Sequence, residues 1–129
     1  MEPAQALADL TEISSQIEAA VLFDESGEVA GSTLADEQAA ASLARAADEL
    51  LRHADRLASG DRTVTQVEAS APEGSVFVVR DGARRVAAVT GPDPTVGLVF
   101  YDLKSCLRDA DAGEKPKRRR AARKDDGEA

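Results

Sequence analysis

Residues 33–59 read TLADEQAAASLARAADELLRHADRLAS, more than half of them alanine or leucine. Ala and Leu are strong helix formers, and an uninterrupted run of them with charges at helical spacing predicts one long helix. Thr33-Leu34-Ala35-Asp36 fits a capping-box start, and Gly60 fits a left-handed stop. At 100° per residue, Ala40, Leu43, Ala44, Ala46, Ala47, Leu50, Leu51, Ala54, Leu57 and Ala58 share about 160° of arc, whereas one docking face needs roughly 100°. Glu37, Gln38, Arg45, Asp48, Glu49, Arg52 and Arg56 occupy the other side with Ala41. The helix therefore has more apolar surface than one sheet can cover, and its many alanines would let a second helix approach closely.

Working outward, Ile17 to Phe23 and Glu28 to Ser32 are short aliphatic stretches separated by Asp24-Glu25-Ser26-Gly27, a hairpin signature. Leu7, Leu10 and Ile13 recur every third residue ahead of them and predict a short amphipathic helix over 3–13. Downstream, residues 63–69 have the β-branched content and polar face of an edge strand. Residues 75–80 and 84–90 flank Asp81-Gly82, a two-residue hairpin signal. Val76 to Val79 and Val86 to Val89 are apolar at successive positions, so both faces of these strands should be covered. Asp93 and Pro94 suit the N-cap and first position of a closing helix. Val96, Val99, Phe100, Leu103, Cys106 and Leu107 then fit one helical face, with a sixth strand over 98–101 as the alternative. The sum is an α/β (α+β) domain of order αββαβββα, a sheet with helices on both faces.

The chain has 129 residues, with 24 Asp+Glu against 16 Lys+Arg and a net charge of −8. That balance conceals a split: residues 1–112 carry −11 and residues 113–129 carry +3. The seven positives of the second part are Lys115, Lys117, Arg118, Arg119, Arg120, Arg123 and Lys124, in a stretch without a large apolar residue. Such a segment has nothing to bury against its ordering entropy and is expected to be a disordered basic tail, leaving a folded unit over 1–112.

The composition also excludes mechanisms. One Cys and one His cannot build a disulfide framework or a four-ligand zinc site. Three Phe, one Tyr and no Trp leave no base-stacking platform. No signal peptide is visible and no apolar run reaches the roughly 20 residues of a membrane span, so a cytoplasmic location without membrane insertion is expected.

Three local patterns together resemble the roadblock family of dynein light chains and bacterial MglB-like regulators. The first is Ala19-Ala20-Val21-Leu22-Phe23-Asp24-Glu25-Ser26-Gly27-Glu28-Val29-Ala30, similar to that family's first hairpin. The second is the long Ala/Leu helix directly after it. The third is Val86-Ala87-Ala88-Val89-Thr90, a Pro/Asp linker, and Val96-Gly97-Leu98-Val99 opening the last helix. The likeness spans roughly residues 7–107 and omits the tail. It implies a profilin-like sandwich of five antiparallel strands, with the long helix on one face and the terminal helices on the other. It also implies a homodimer built on the long helices, and a non-enzymatic scaffold or regulator of a small Ras-like GTPase. Ala40, Leu43, Ala44, Ala47, Leu50, Leu51 and Ala54, with Arg45, Arg52 and Arg56, are the dimer and partner residues to which it points.

No phosphate-binding glycine motif occurs, so any nucleotide belongs to a partner. No catalytic, cofactor or metal residues are expected: His53 and Cys106 read as structural, and the adjacent acidic pairs as solvated surface. Asp48, Glu49 and Asp55 lie among the three arginines at helical spacing, which suits intrahelical pairs as well as an acidic partner. The tail has three readings: contact with nucleic acid or another acidic surface, folding back on the acidic body, or a solubilising end. The alternative to GTPase regulation is a structural or signalling scaffold with no GTPase partner.

Overall fold

Side chains alternate between the two faces of a strand, and in this chain both faces of the inner strands are covered by helices. A computed structural model describes the backbone of residues 1–58 and 60–123 and the side chains of residues 1–58 and 60–110. The elements run α1 (Pro3–Ile13), β1 (Ile17–Asp24), β2 (Val29–Ser32), α2 (Glu37–Leu57), β3 (Gln66–Ala71), β4 (Gly74–Asp81), β5 (Arg84–Thr90) and α3 (Val96–Arg123). This is the order the sequence predicts. The five strands form one antiparallel sheet, β2-β1-β5-β4-β3.

Val21, Ala87 and Val78 are in register across β1, β5 and β4, and Leu22, Val86 and Val79 follow one residue along on the opposite face. On the first face Val21, Phe23, Val78 and Ala87 pack against Ala40, Ala44, Ala47 and Leu51 of α2. On the second, Leu22, Phe77, Val79 and Val86 pack against Leu7 and Leu10 of α1 and Val99, Leu103 and Leu107 of α3. Phe77 and Phe100 meet edge to face there, with ring centroids 5.0 Å apart, the arrangement ring quadrupoles favour.

Element boundaries differ from expectation where side chains take competing partners. Thr33 does not cap α2: its Oγ1 accepts from the Ala20 amide at 2.9 Å and its own amide donates to the Ala20 carbonyl at 3.0 Å. The N-cap is Asp36, whose carboxylate accepts from Gln38 N at 2.9 Å. At the other end Ala58 is the cap and Gly60 has φ +70°, left-handed as expected but two residues beyond it; Ser59 lies outside the described residues. The edge strand starts at Gln66 because the preceding residues are held otherwise: Val64 N donates to Asp55 and Val64 O accepts from Arg80. Asp93 does not cap α3 either. Pro94 disfavours the right-handed helical region for the residue before it, and Asp93 adopts φ +58°. Thr95 takes the cap position, its carbonyl accepting from Val99 N at 3.0 Å and its amide donating to Gln16 Oε1 at 2.6 Å. The alternative of a sixth strand over 98–101 is thereby excluded.

The backbone of α3 continues past the boundary expected after residue 112. Lys115, Lys117, Arg118, Arg119, Arg120, Arg123 and Lys124 lie outside the residues whose side chains are described, as does the expectation that they form a disordered tail.

Candidate interaction surface

Helix α2 divides the residues singled out from the sequence into three sets. Ala40, Ala44, Ala47 and Leu51 are at most 3% exposed and face the sheet, so they are unavailable to a partner. Leu43 and Leu50 are partly buried at the margin of that cluster, and Ala54 is partly buried too. Leu57 is 89% exposed.

One pattern on this helix is hidden within its wide apolar arc. Ala39, Leu43, Ala46, Leu50, His53 and Leu57 are spaced alternately by four and three residues, the seam spacing of packed helix pairs. Ala39, Ala46, His53 and Leu57 are exposed. The seam runs along the flank of α2 next to its sheet-facing stripe, and its small residues permit close approach.

Arg45 and Arg52 lie away from that seam, whereas Arg56 touches its His53. Arg52 Nε pairs with Asp48 Oδ2 at 2.9 Å, an i, i+4 pair. Arg56 donates from Nη1 to His53 Nδ1 at 3.2 Å. Arg45 is exposed and has no partner among the described residues. Two of the three thus make intrahelical contacts.

Another charged group of the helix does something the sequence did not reveal. Asp55 receives Nη1 and Nη2 of Arg80 at 3.1 and 2.7 Å, and the amide of Val64 at 3.2 Å. The Arg80 hydrogen bonds, aided by the Val64 amide, hold the Asp55 carboxyl below its ordinary range against a smaller opposing effect of burial. This clamp fixes the end of α2 to β4 and to the segment leading into β3. β3 closes the sheet, with no strand on its outer edge among the described residues.

No three His, Cys, Asp or Glu residues are grouped to hold a metal among the described residues. Cys106 is buried on α3, its thiol pushed up to about 12 by burial first and then by Asp109 and Asp9. Among the described residues no helix is long and apolar enough to cross a membrane.

No protein-family model matches the chain, and no curated protein matches it in sequence. Solved structures do match in shape. A roadblock/LC7 domain from Streptomyces avermitilis superposes with a TM-score of 0.75 at 19% identity, over 84% of this chain and 93% of that one. The gliding protein mglB of Thermus thermophilus gives 0.67 at 17%, over 85% and 89%. Myxococcus xanthus MglB gives 0.66 at 15%, over 87% and 84%. The chain has the roadblock/LC7 fold.

Proposed function

We propose that this chain is a non-enzymatic, homodimeric adaptor that binds and modulates a small Ras-like GTPase. The observation that carries the reading is the seam Ala39, Leu43, Ala46, Leu50, His53 and Leu57 on a helix already docked by its other stripe. A second copy of the same seam covers it symmetrically, as a two-fold interface requires. The outer edge of β3, unpaired among the described residues, and the shape likeness to MglB structures support the same reading. The paired helices would then present Arg45 and Arg52 outward to the switch protein, and modulation would follow from binding one nucleotide state better than the other.

Sedimentation equilibrium tests the dimer. A dimer is expected at tens of micromolar, and a monomer there overturns the reading. Capture of partners on the full-length protein, with GDP or a non-hydrolysable GTP analogue present, tests the rest. Recovery of a GTPase in one nucleotide state supports regulation, whereas partners recovered independently of nucleotide would indicate a scaffold.

A further inference from the structure

On the face opposite α2, helices α1 and α3 leave a groove between them with a cavity of about 250 Å³. Three carboxylates line it, Asp9, Asp102 and Asp109, beside Ile13, Tyr101 and Cys106. Asp102 is only 8% exposed. It has no hydrogen-bond or ion-pair partner among the described residues. Its residue is largely enclosed by the groove walls, and its carboxylate has no counter-charge there among the described residues. Its neighbours are conspicuous in the opposite sense, for Ile13 is 73% and Tyr101 65% exposed. The groove thus joins uncompensated carboxylates to an uncovered apolar rim, and its complement is a cation on an aliphatic stem. The ammonium of Met1 does not meet this need, since it donates to the Asp109 carbonyl at 3.1 Å.

The chain itself contains such groups in quantity, seven Lys and Arg within residues 115–124, against a body of −11. Along α3 the first of them is carried away from Asp102 of its own copy. That helix forms one wall of the groove and continues to Arg123, so Lys115 is carried about 20 Å along the axis from Asp102 at 1.5 Å per residue. We propose that the groove between α1 and α3 receives the basic segment 115–124 of a second copy. One Lys or Arg head pairs with Asp102, and others meet Asp9 and Asp109. The alkyl stems cover Ile13, and a guanidinium or ammonium faces the Tyr101 ring. This contact is separate from the α2 seam and does not depend on it.

Equal amounts of ¹⁴N and ¹⁵N full-length protein, mixed at low salt and treated with a carbodiimide, test the proposal by mass spectrometry. Cross-links from Asp9, Asp102 or Asp109 to Lys115, Lys117 or Lys124 are expected in mixed-isotope pairs. Single-isotope pairs alone, or no cross-links at these aspartates, overturn it. Tyr101 is the one Tyr of a chain without Trp, so intrinsic fluorescence reports on this groove. Acrylamide quenching should increase in the Arg118→Glu, Arg119→Glu, Arg120→Glu variant; unchanged quenching overturns the proposal. Asp102→Asn should weaken the association about tenfold, the loss of one charge-assisted contact. Introducing Leu57→Glu separates the two interfaces, because it should weaken seam pairing and leave the mixed-isotope cross-links in place.

Discussion

Arg80 and Arg85 stand opposite each other on β4 and β5, a like-charged cross-strand pair that would destabilise the sheet if left alone. Each is held differently. Arg80 turns to Asp55 and the Val64 carbonyl. Arg85 donates from Nη1 to the carbonyls of Gly82 and Ala83, leaving its buried Nε without a partner. Arg80→Ala removes the clamp and should cost about 2 kcal/mol, the value of charged hydrogen bonds discounted for solvent at Asp55. Urea unfolding measures it. The pH dependence has a definite sign. Asp55 has a lower pKa folded than unfolded, so its contribution is fully present above the ordinary carboxylate range. It is lost as pH falls through the lower folded value. Unfolding curves on the acid side should be flatter for Asp55→Asn than for the parent, and equal slopes would refute the assignment. At Gly74 an added Cβ would collide with the Thr90 carbonyl of the neighbouring strand. Backbone cannot step aside as a side-chain tip can, so Gly74→Ala should lower stability by about 2 kcal/mol or more. The Cys106 thiol, buried and with its pKa pushed up to about 12, should react with a disulfide reagent only after denaturant is added.

At the scale of elements, α2 separates folding from association. Ala47 is fully buried against the sheet, so Ala47→Leu overpacks the core and should destabilise by about 1–3 kcal/mol. Leu57 is almost wholly exposed. Leu57→Glu should therefore leave the melting temperature of the dilute protein nearly unchanged and weaken association in sedimentation; an unaltered dissociation constant would remove Leu57 from the interface. The same contrast explains what the sequence disclosed. Val76 to Val79 and Val86 to Val89 around Asp81-Gly82 announced a hairpin covered on both faces, because residue type and spacing are local properties. Helix α2 was equally legible as a helix. Its seam was hidden inside a wide arc of alanines, since Ala serves both a buried stripe and a close helix contact, and only burial tells Ala47 from Ala46. The Asp55–Arg80 clamp spans 25 residues and the Gln16–Thr95 bond 79. Neither has a local signature; the first displaced the predicted start of β3, while the start of α3 moved because Pro94 restricts Asp93, and Gln16 holds the new cap.

Across the whole molecule the two sides of the sheet are unequally covered. Helices α1 and α3 contribute Leu7, Leu10, Val99, Phe100, Leu103 and Leu107, whereas α2 contributes three alanines and one leucine as its buried residues. Burial of apolar area stabilises at about 25 cal/mol per Å², so an alanine-faced layer is held more weakly than a leucine-faced one. In a lone copy α2 should open before α3, β4 and β5 do, since local stability follows buried apolar contact. Pairing through the seam would cover its second flank and raise its protection by mass action. Amide hydrogen exchange of the full chain over a wide concentration range tests this. Exchange in residues 37–57 should slow as concentration rises through the dissociation constant, while residues 76–80 and 86–89 remain slow throughout. If α2 exchanged at one rate across that range while sedimentation showed dimer forming, its layer would already be complete in the single copy, and the dimer would have to be built elsewhere.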